Sequence, residues 1–291
     1  WASNDYGIFE ALHAALAELP EYSFTFFYNH DNLFGELRSV IHQFDLVLNL
    51  CDDGYMNNLD QAAHLCALLD MLGAPYTGSG VKAMFMTGDK QIQLDIARGN
   101  GVPVPESVLV QPWEPLPQHI KYPALVKPNA TDGSLGITRK SVVHNRAELL
   151  EAVRIVREDF KLTCPILIQR YLPGTDIFVS LLGNAPHELR ALTITEEDYS
   201  ALPADFPKLC SYESKWDQTS PYWNIKSRIT TLPQPTQDFI VDCCKRIYTR
   251  LEIRDYGRFD WRLDEHDNPY FLEANPNCGW CFDAHLVKTA A

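Results

Sequence analysis

The run Gly257-Arg258-Phe259-Asp260-Trp261-Arg262-Leu263, answered by Tyr270-Phe271-Leu272-Glu273-Ala274-Asn275, decides how this chain folds and what it can hold. Side chains alternate faces along a strand, so Arg258, Asp260 and Arg262 point one way while Phe259, Trp261 and Leu263 point into a core. In the second run the same alternation puts Glu273 and Asn275 on one face. The intervening Asp264-Glu265-His266-Asp267-Asn268-Pro269 reads as a polar hairpin connection. When the two polar faces coincide, Asp260, Glu273 and Asn275 converge. Two carboxylates and an amide oxygen suit a hard cation such as Mg²⁺, which takes the rest of its shell from phosphate oxygens. An ordinary hairpin with a solvated acidic face gives the same pattern, so these residues alone leave both readings open.

Composition bounds what surrounds these strands. A chain of 291 residues, 46% hydrophobic, can bury a sizeable core and divide into two or three lobes. No apolar run reaches the length of a membrane span. The start, Trp1-Ala2-Ser3-Asn4-Asp5-Tyr6, has neither the basic flank nor the apolar stretch of a signal peptide. A cytoplasmic location without a membrane partner is the expectation. The net charge of −13 argues against nucleic acid, whose phosphates need clustered Lys and Arg. Any phosphates bound here must be held by a few placed cations and a metal. The eight cysteines are irregularly spaced and read as reduced thiols. Cys278-Gly279-Trp280-Cys281 has the spacing of thiol oxidoreductases. That motif, however, belongs between a strand and a helix N-terminus, whereas this one directly follows the candidate metal ligands. For a zinc site only His285 is near.

Upstream, the chain alternates helices and strands. Phe9 to Leu19 carries helical spacing, Tyr22 to Tyr28 reads as a short strand, and Leu46 to Leu50 as a buried parallel strand. Leu59 to Leu72 is an amphipathic helix stopped by Gly73. This predicts an α/β domain over residues 1–86, entered after a first strand that the chain does not contain. Thr87 is the candidate N-cap of a helix reaching Arg98. Strand Ala124–Lys127, a helix opened by the box Asn145-x-x-Glu148 and strand Ile166–Gln169 then complete a central lobe over 87–168. A third lobe, 169–291, holds strand Ile177–Leu182, a long loop from Thr195 to Asn224, helix Thr236–Leu251 and the two polar-faced strands.

Three lysines stand out. Lys127 ends a buried-looking strand and needs an anionic partner or an exit to solvent. After it comes a loop, Pro128 to Gly136, whose Gly133 and Ser134 could lay backbone N–H groups on phosphate oxygens, or simply turn a hairpin into strand Ile137–Val143. Lys90 sits in the first turn of its helix, a poor place for a cation unless a ligand or solvent compensates. Lys215 lies within the long loop.

Together these stretches resemble the ATP-grasp superfamily, and within it the D-alanine–D-alanine ligase group. The residues that carry the resemblance are 73–79, Asp89-Lys90, Tyr122 to Pro128 with its Gly-Ser-x-Gly, Gln169 to Asp176, Tyr212 to Trp216, Gly257 to Asp260, and Leu272 to Asn275. The resemblance implies an α/β chain with α+β lobes: an ATP-grasp fold preceded by a parallel α/β domain. It implies ATP held between two lobes, with Lys90, Lys127, Gly133 and Ser134 at the phosphates. Gln169, Arg170, Tyr171 and Leu172 would lie at adenine, and Asp176 at the ribose. Asp260, Glu273 and Asn275 would hold Mg²⁺, or Mn²⁺ in its place. Lys215 would reach the terminal phosphate, and Arg258 would stabilise charge developing in the reaction.

The reaction implied is ATP-dependent joining of a carboxylate and an amine through an acylphosphate, with small-molecule amino acids or other acids and amines as partners. The oligomeric state is left open, a homodimer included. Several residues depart from the family pattern. Leu50-Cys51-Asp52-Asp53-Gly54 stands where His-Gly is usual, and Asp132-Gly133-Ser134 where Gly-Ser-Ser is usual. Asn277, Cys278, Gly279 and Trp280 stand at the substrate pocket, and Ala284 where a carboxylate-binding serine is expected. The last helix of the family is not expected in this chain. The departures predict a pocket unlike that of a D-alanine–D-alanine ligase. A true ligase of that kind, an inactive nucleotide-binding relative and a thiol oxidoreductase are the alternatives.

Overall fold

The computed structural model describes residues 5–51, 54–280 and 284–290. The chain opens with helices α1 (Asp5–Ala17), α2 (Leu33–Val40), α3 (Ala62–Met71) and α4 (Val81–Thr87). Leu33, Leu37, Cys66, Leu69, Tyr76 and Met84 meet in one apolar cluster among the last three. Of the parallel strands expected here, the described residues form only a parallel bridge between Val47 and Tyr76. Tyr22 to Tyr28 is not a strand. Its aromatic rings stack locally instead, Phe26 on His13 at 3.9 Å, and among the described residues no neighbouring strand takes up its backbone groups.

Helix α5 (Lys90–Gly99) follows, capped by Asp89, whose Oδ1 accepts from Ile92 N at 2.9 Å. The expected cap, Thr87, instead closes α4, its hydroxyl donating back to Ala83 O. Gly88 separates the two helices, and a carboxylate at the N-terminus also suits the helix dipole.

A small antiparallel sheet comes next, built from β1 (Ser107–Val110), β2 (Ala124–Pro128), β3 (Val142–Val143) and β4 (Ile166–Arg170) in the order β1-β4-β2-β3, with α6 (Arg146–Arg154) between β3 and β4. Half of the box read at the start of α6 forms: Asn145 Oδ1 accepts from Glu148 N at 3.0 Å, but the Glu148 carboxylate accepts from Asn145 Nδ2 and His144 N instead of from the Asn145 backbone. Val126, Val143, Leu149, Val156 and Ile168 close one face of the sheet. The expected strand Ile137–Val143 shrinks to β3, because Thr138 caps a tight turn over Arg139–Ser141.

The large sheet has the order β10-β9-β5-β7-β8, with β6 also on β5, and its pairs are antiparallel. Its strands are β5 (Asp176–Leu182), β6 (Arg190–Ala191), β7 (Thr195–Asp198), β8 (Lys226–Ile229), β9 (Tyr256–Leu263) and β10 (Pro269–Asn275). Helix α7 (Tyr212–Trp216) lies between β7 and β8, α8 (Gln234–Arg250) between β8 and β9, and α9 (His285–Ala290) after β10. The segment expected as one loop from Thr195 thus begins as a strand. Its Glu196 is fixed by Arg228, Thr230 and Thr231.

Ile177, Val179, Phe259, Trp261 and Phe271 on one face of this sheet pack against Ile240, Cys244, Ile247 and Tyr248 of α8 and against Leu94 and Ala97 of α5. Each of the larger aliphatic and phenylalanine side chains among them contributes roughly 1.5–3 kcal/mol by its burial. Helix α5, read from sequence as part of the central lobe, therefore packs with the large sheet, and β4 runs past the expected boundary to Arg170.

The pairing of β10 with β9 shifts between Phe271 and Glu273, leaving Leu272 as a bulge. Residues 271 and 273 would otherwise share a face. The bulge sends Phe271 into the core and Glu273 to the opposite face, directly across from Asp260.

Candidate active site

The face of the large sheet turned away from its core carries Glu273 and Asn275 on β10, Arg258, Asp260 and Arg262 on β9, and Asp176 and Phe178 on β5. Thr195 and Glu197 follow on β7. Asp260 is gripped by Arg258 (Nε to Oδ1 2.7 Å, Nη2 to Oδ2 3.0 Å) and accepts from Asn275 Nδ2 at 3.2 Å. Across from it, Glu273 Oε2 lies 3.0 Å from Lys90 Nζ, which also donates to Thr131 O at 2.6 Å. Lys90, Asp260, Glu273, Asn275 and Arg258 are thus brought together as the sequence predicts.

Lys127 projects from the small sheet. Its register partner is Leu167, and Gln169 lies on the same face one pair along. The residue is 4% exposed, and among the described residues its ammonium has no hydrogen bond or ion pair. Gln169 Nε2 is buried and without a partner, as is Asn129 Nδ2 just past the end of β2. Buried polar groups are normally satisfied, so three orphaned donors in one region mark a place for acceptors.

Electrostatics agree. Burial pushes Lys127 down to about 8, with Lys90 acting in the same direction and Glu273 against it. Lys90 feels the same burial, but Glu273 and Asp132 hold it above its ordinary value. Burial raises Asp260 despite Arg258, whereas Lys90 and Lys127 outweigh burial at Glu273 and hold it low. Three cations, Lys90, Lys127 and Arg258, surround two carboxylates, so the cluster carries a net positive charge before any ligand enters.

The residues fit a hard divalent cation. Asp260, with two oxygens and about four lone-pair directions, spends three of them on Arg258 and Asn275. Asn275, donating through Nδ2, leaves its carbonyl oxygen to coordinate, and Glu273 has Oε1 beyond its bond to Lys90. Among the described residues no three His, Cys, Asp or Glu side chains converge, so the donor set is two carboxylates and an amide.

The loop after β2 turns through left-handed backbone at Gly133 (φ 62) and Ser134 (φ 60). It is tied to the segment around α7: Ser134 Oγ donates to Cys210 O at 2.9 Å, and Trp216 Nε1 to Gly133 O at 3.2 Å. Lys215, in α7, is exposed. At the end of β4 Arg170 pairs with Glu265 at 3.0 Å, and in the linker that follows Tyr171 OH donates to Lys208 O and Leu172 is buried. Asp176 is 7% exposed, and its Oδ2 takes Arg262, Tyr199 and Cys210.

The residues singled out for substrate divide. Asn277 spends its amide inside the protein, Nδ2 on Cys51 O at 3.0 Å and Oδ1 on Tyr256 OH at 2.7 Å. Cys278 is buried, and Gly279 and Ala284 are half-buried. Trp280 is 43% exposed and stands edge-on to Tyr256. Cys281, the partner of Cys278 in the thiol reading, lies outside the described residues, as do Asp52 and Asp53.

Sequence reasoning missed Glu197 and gave His285 no role beyond a weak zinc ligand. Glu197 Oε1 accepts from Ser227 Oγ at 3.0 Å and faces His285 Nε2 at 3.5 Å, and the His285 ring stacks on Phe178 at 3.8 Å. Thr195-Glu196-Glu197-Asp198 is polar at every position, so no alternation marked it as a strand.

Two antiparallel sheets, joined through a short linker and presenting lysines, carboxylates and orphaned donors to each other, make this an ATP-grasp fold. Residues 107–289 match the family model described as D-ala D-ala ligase C-terminus, and the chain belongs to that family. It is 31% identical over 233 residues to the uncharacterized protein y4sG of Sinorhizobium fredii, covering 78% of this chain and 64% of that one. It is 30% identical over 226 residues to a D-alanine–D-alanine ligase of Chromohalobacter salexigens, covering 77% and 65%. The chain thus spans just under two thirds of the length of these two relatives. A D-alanine–D-alanine ligase of Halalkalibacterium halodurans is 27% identical over 278 residues, covering 94% and 82%. Among solved structures, the D-alanine–D-alanine ligase from Bacillus anthracis superposes with a TM-score of 0.67 at 22% identity, covering 88% of this chain and 77% of that one. The same enzyme complexed with ATP gives 0.66 at 21% identity, covering 88% and 76%.

Proposed function

We propose that the protein is an ATP-dependent carboxylate–amine ligase, forming an amide or peptide bond through an acylphosphate. Its substrate pocket is distinct from that of a D-alanine–D-alanine ligase. The observation that carries the reading is Lys127: a buried lysine with no partner among the described residues, facing a carboxylate pair that is already neutralised by Lys90 and Arg258. Such a site stabilises a polyanion accompanied by a divalent cation. Family membership and the likeness in fold to a ligase complexed with ATP support the same reading.

In this reading Asp260, Glu273 and Asn275 hold Mg²⁺, with Mn²⁺ as a substitute, and the metal neutralises phosphate charge where a substrate carboxylate approaches. Lys90 and Lys127 hold the phosphates, and Lys127 is pulled back to its charged form by the anion it binds. Gly133 and Ser134 supply backbone N–H groups to the same phosphates. The linker Gln169 to Leu172 holds the adenine, Gln169 offering its orphaned Nε2, and Asp176 holds the ribose. Lys215 reaches the terminal phosphate from α7. Arg258, anchored by Asp260, presents its remaining N–H groups to negative charge developing on the reacting acyl group. Bringing three reactants into one dry, charge-balanced cleft supplies most of the acceleration such a reaction needs.

Asn277, Cys278, Gly279 and Trp280 border the substrate pocket in this reading. Asn277 is committed to Cys51 and Tyr256, and Ala284 has no hydroxyl to offer a carboxylate, which together support a preference other than D-alanine. The test is a screen of amino-acid and amine pairs for Mg²⁺-dependent release of ADP and phosphate, with mass detection of a condensed product. ADP release matched by product supports the ligase. Tight ATP binding without product from any pair would favour a regulatory relative, and a D-alanine dimer formed faster than every other product would overturn the altered pocket.

A further inference from the structure

Two adjacent glutamates on β7 lead opposite lives. Glu196 faces the outer edge of the sheet and is satisfied by Arg228 at 2.9 Å and by Thr230 at 2.7 Å. Glu197 points to the cleft, its side chain 9% exposed, and no lysine or arginine lies within ion-pair distance. Lys288 and Lys215 act on it only from beyond contact, and the neighbouring Asp176 opposes them. The contacts of Glu197 are the Ser227 hydroxyl and the His285 imidazole, which Phe178 holds by stacking and Thr195 Oγ1 approaches at 3.5 Å. Burial with the neighbouring positive charges of Arg258, Lys288 and Lys215 keeps His285 neutral, so it does not supply the missing cation. A buried carboxylate without a counter-ion is costly, and a ligand cation would relieve that cost.

We infer that Glu197, with the His285–Phe178 stack beside it, is the recognition site for a cationic nitrogen at the far end of the amine or amino-acid substrate. The inference rests on the ligase reading and names its substrate class. Phe178 pairs with Asp260 on one side and with Thr195 on the other, and Glu197 stands two residues beyond Thr195, level with Asp176, so it lies two strands across and two residues along from Asp260, about 12 Å at ordinary strand spacing and rise. That span is too long for the α-amino group that must reach the reacting centre. It matches the reach of a lysine or arginine side chain, or of a diamine. The aromatic floor suits the methylene stem of such a side chain, and Glu197 its charged end.

The experiment compares near-isosteric pairs, both enantiomers of lysine against norleucine and of arginine against citrulline. Binding is measured by calorimetry to the protein held with Mg²⁺ and a non-hydrolysable ATP analogue. Wild type is expected to bind a basic member at least tenfold more tightly than its neutral counterpart, and Glu197→Gln to lose that preference while binding the ATP analogue unchanged. Equal binding of the charged and neutral members, no binding of any of them, or an undiminished preference in Glu197→Gln would overturn the inference. Should Glu197→Gln fail to fold, the wild-type comparison decides alone. Failure of the ATP analogue itself to bind would instead count against the ligase reading, and the same amino-acid titrations without nucleotide would still judge Glu197.

Discussion

At the scale of single residues, the behaviour of the cleft follows from charges placed where water is scarce. Glu197 and His285 show this in opposite senses: burial pushes the carboxyl up to about 7 and the imidazole down to about 3. A histidine with a depressed value costs stability as pH falls from its ordinary 6.5, because the unfolded chain takes the proton first. A glutamate with a raised value contributes stability at low pH that is lost as pH rises from its ordinary 4.5 toward 7. Between pH 4.5 and 6.5 the two slopes cancel. Glu197→Gln removes one of them, so the variant should lose stability relative to wild type as pH falls through that window, by up to roughly 1.4 kcal/mol per pH unit. Urea melts at several pH values check this, and a difference independent of pH would contradict it. Residue identities of this kind were partly legible beforehand. Lys127 announced itself as a charge ending an apolar strand, Asp260 and Glu273 by the alternation of theirs, and Lys90 as a cation in the first turn of a helix, whereas Glu197 did not, because its strand is only four residues long and polar throughout.

At the scale of elements, one bulge and one tether shape the site. The alternation along β9 was readable because Phe259, Trp261 and Leu263 leave no other face for the core. The bulge at Leu272 was not, since a period of two carries no mark of where an extra residue is inserted. The N-terminal strands failed for a different reason: apolar runs such as Leu46 to Leu50 become strands only when a neighbour supplies hydrogen bonds, which is a property of the fold. The tether joins α7 to the loop after β2 through Trp216 Nε1 and Gly133 O, and through Ser134 Oγ and Cys210 O. We propose that residues 199–224, so tethered, form a lid over the loop after β2. Trp216→Phe keeps the ring and deletes that bond. Limited proteolysis should then cut the lid faster than in wild type, with protection recovered on adding an ATP analogue and Mg²⁺. An unchanged cutting rate would mean that the tether does not hold the lid.

At the scale of the whole molecule, the two sheets are complementary halves of one charge balance. The small sheet contributes Lys127 and the orphaned Gln169, and the large sheet contributes Asp260, Glu273, Asn275 and Arg258. Lys90, from a helix packed on the large sheet, closes the gap. Among the described residues no helix is long and apolar enough to cross a membrane. Removing one carboxylate should alter metal use before it alters the fold. Glu273→Gln should shift the Mg²⁺ requirement of turnover upward at least tenfold while leaving the thermal midpoint within a few degrees, as a Mg²⁺ titration and a melting curve would register. A titration matching wild type would remove Glu273 from the metal site. The central claim, that the unpartnered Lys127 exists to hold a nucleotide polyphosphate, is tested most directly by calorimetric titration of wild type and Lys127→Ala with ATP and Mg²⁺. Loss of a charge-assisted contact predicts affinity weakened roughly 10- to 100-fold in a variant that stays folded. A folded Lys127→Ala protein that binds ATP as tightly as wild type would contradict it.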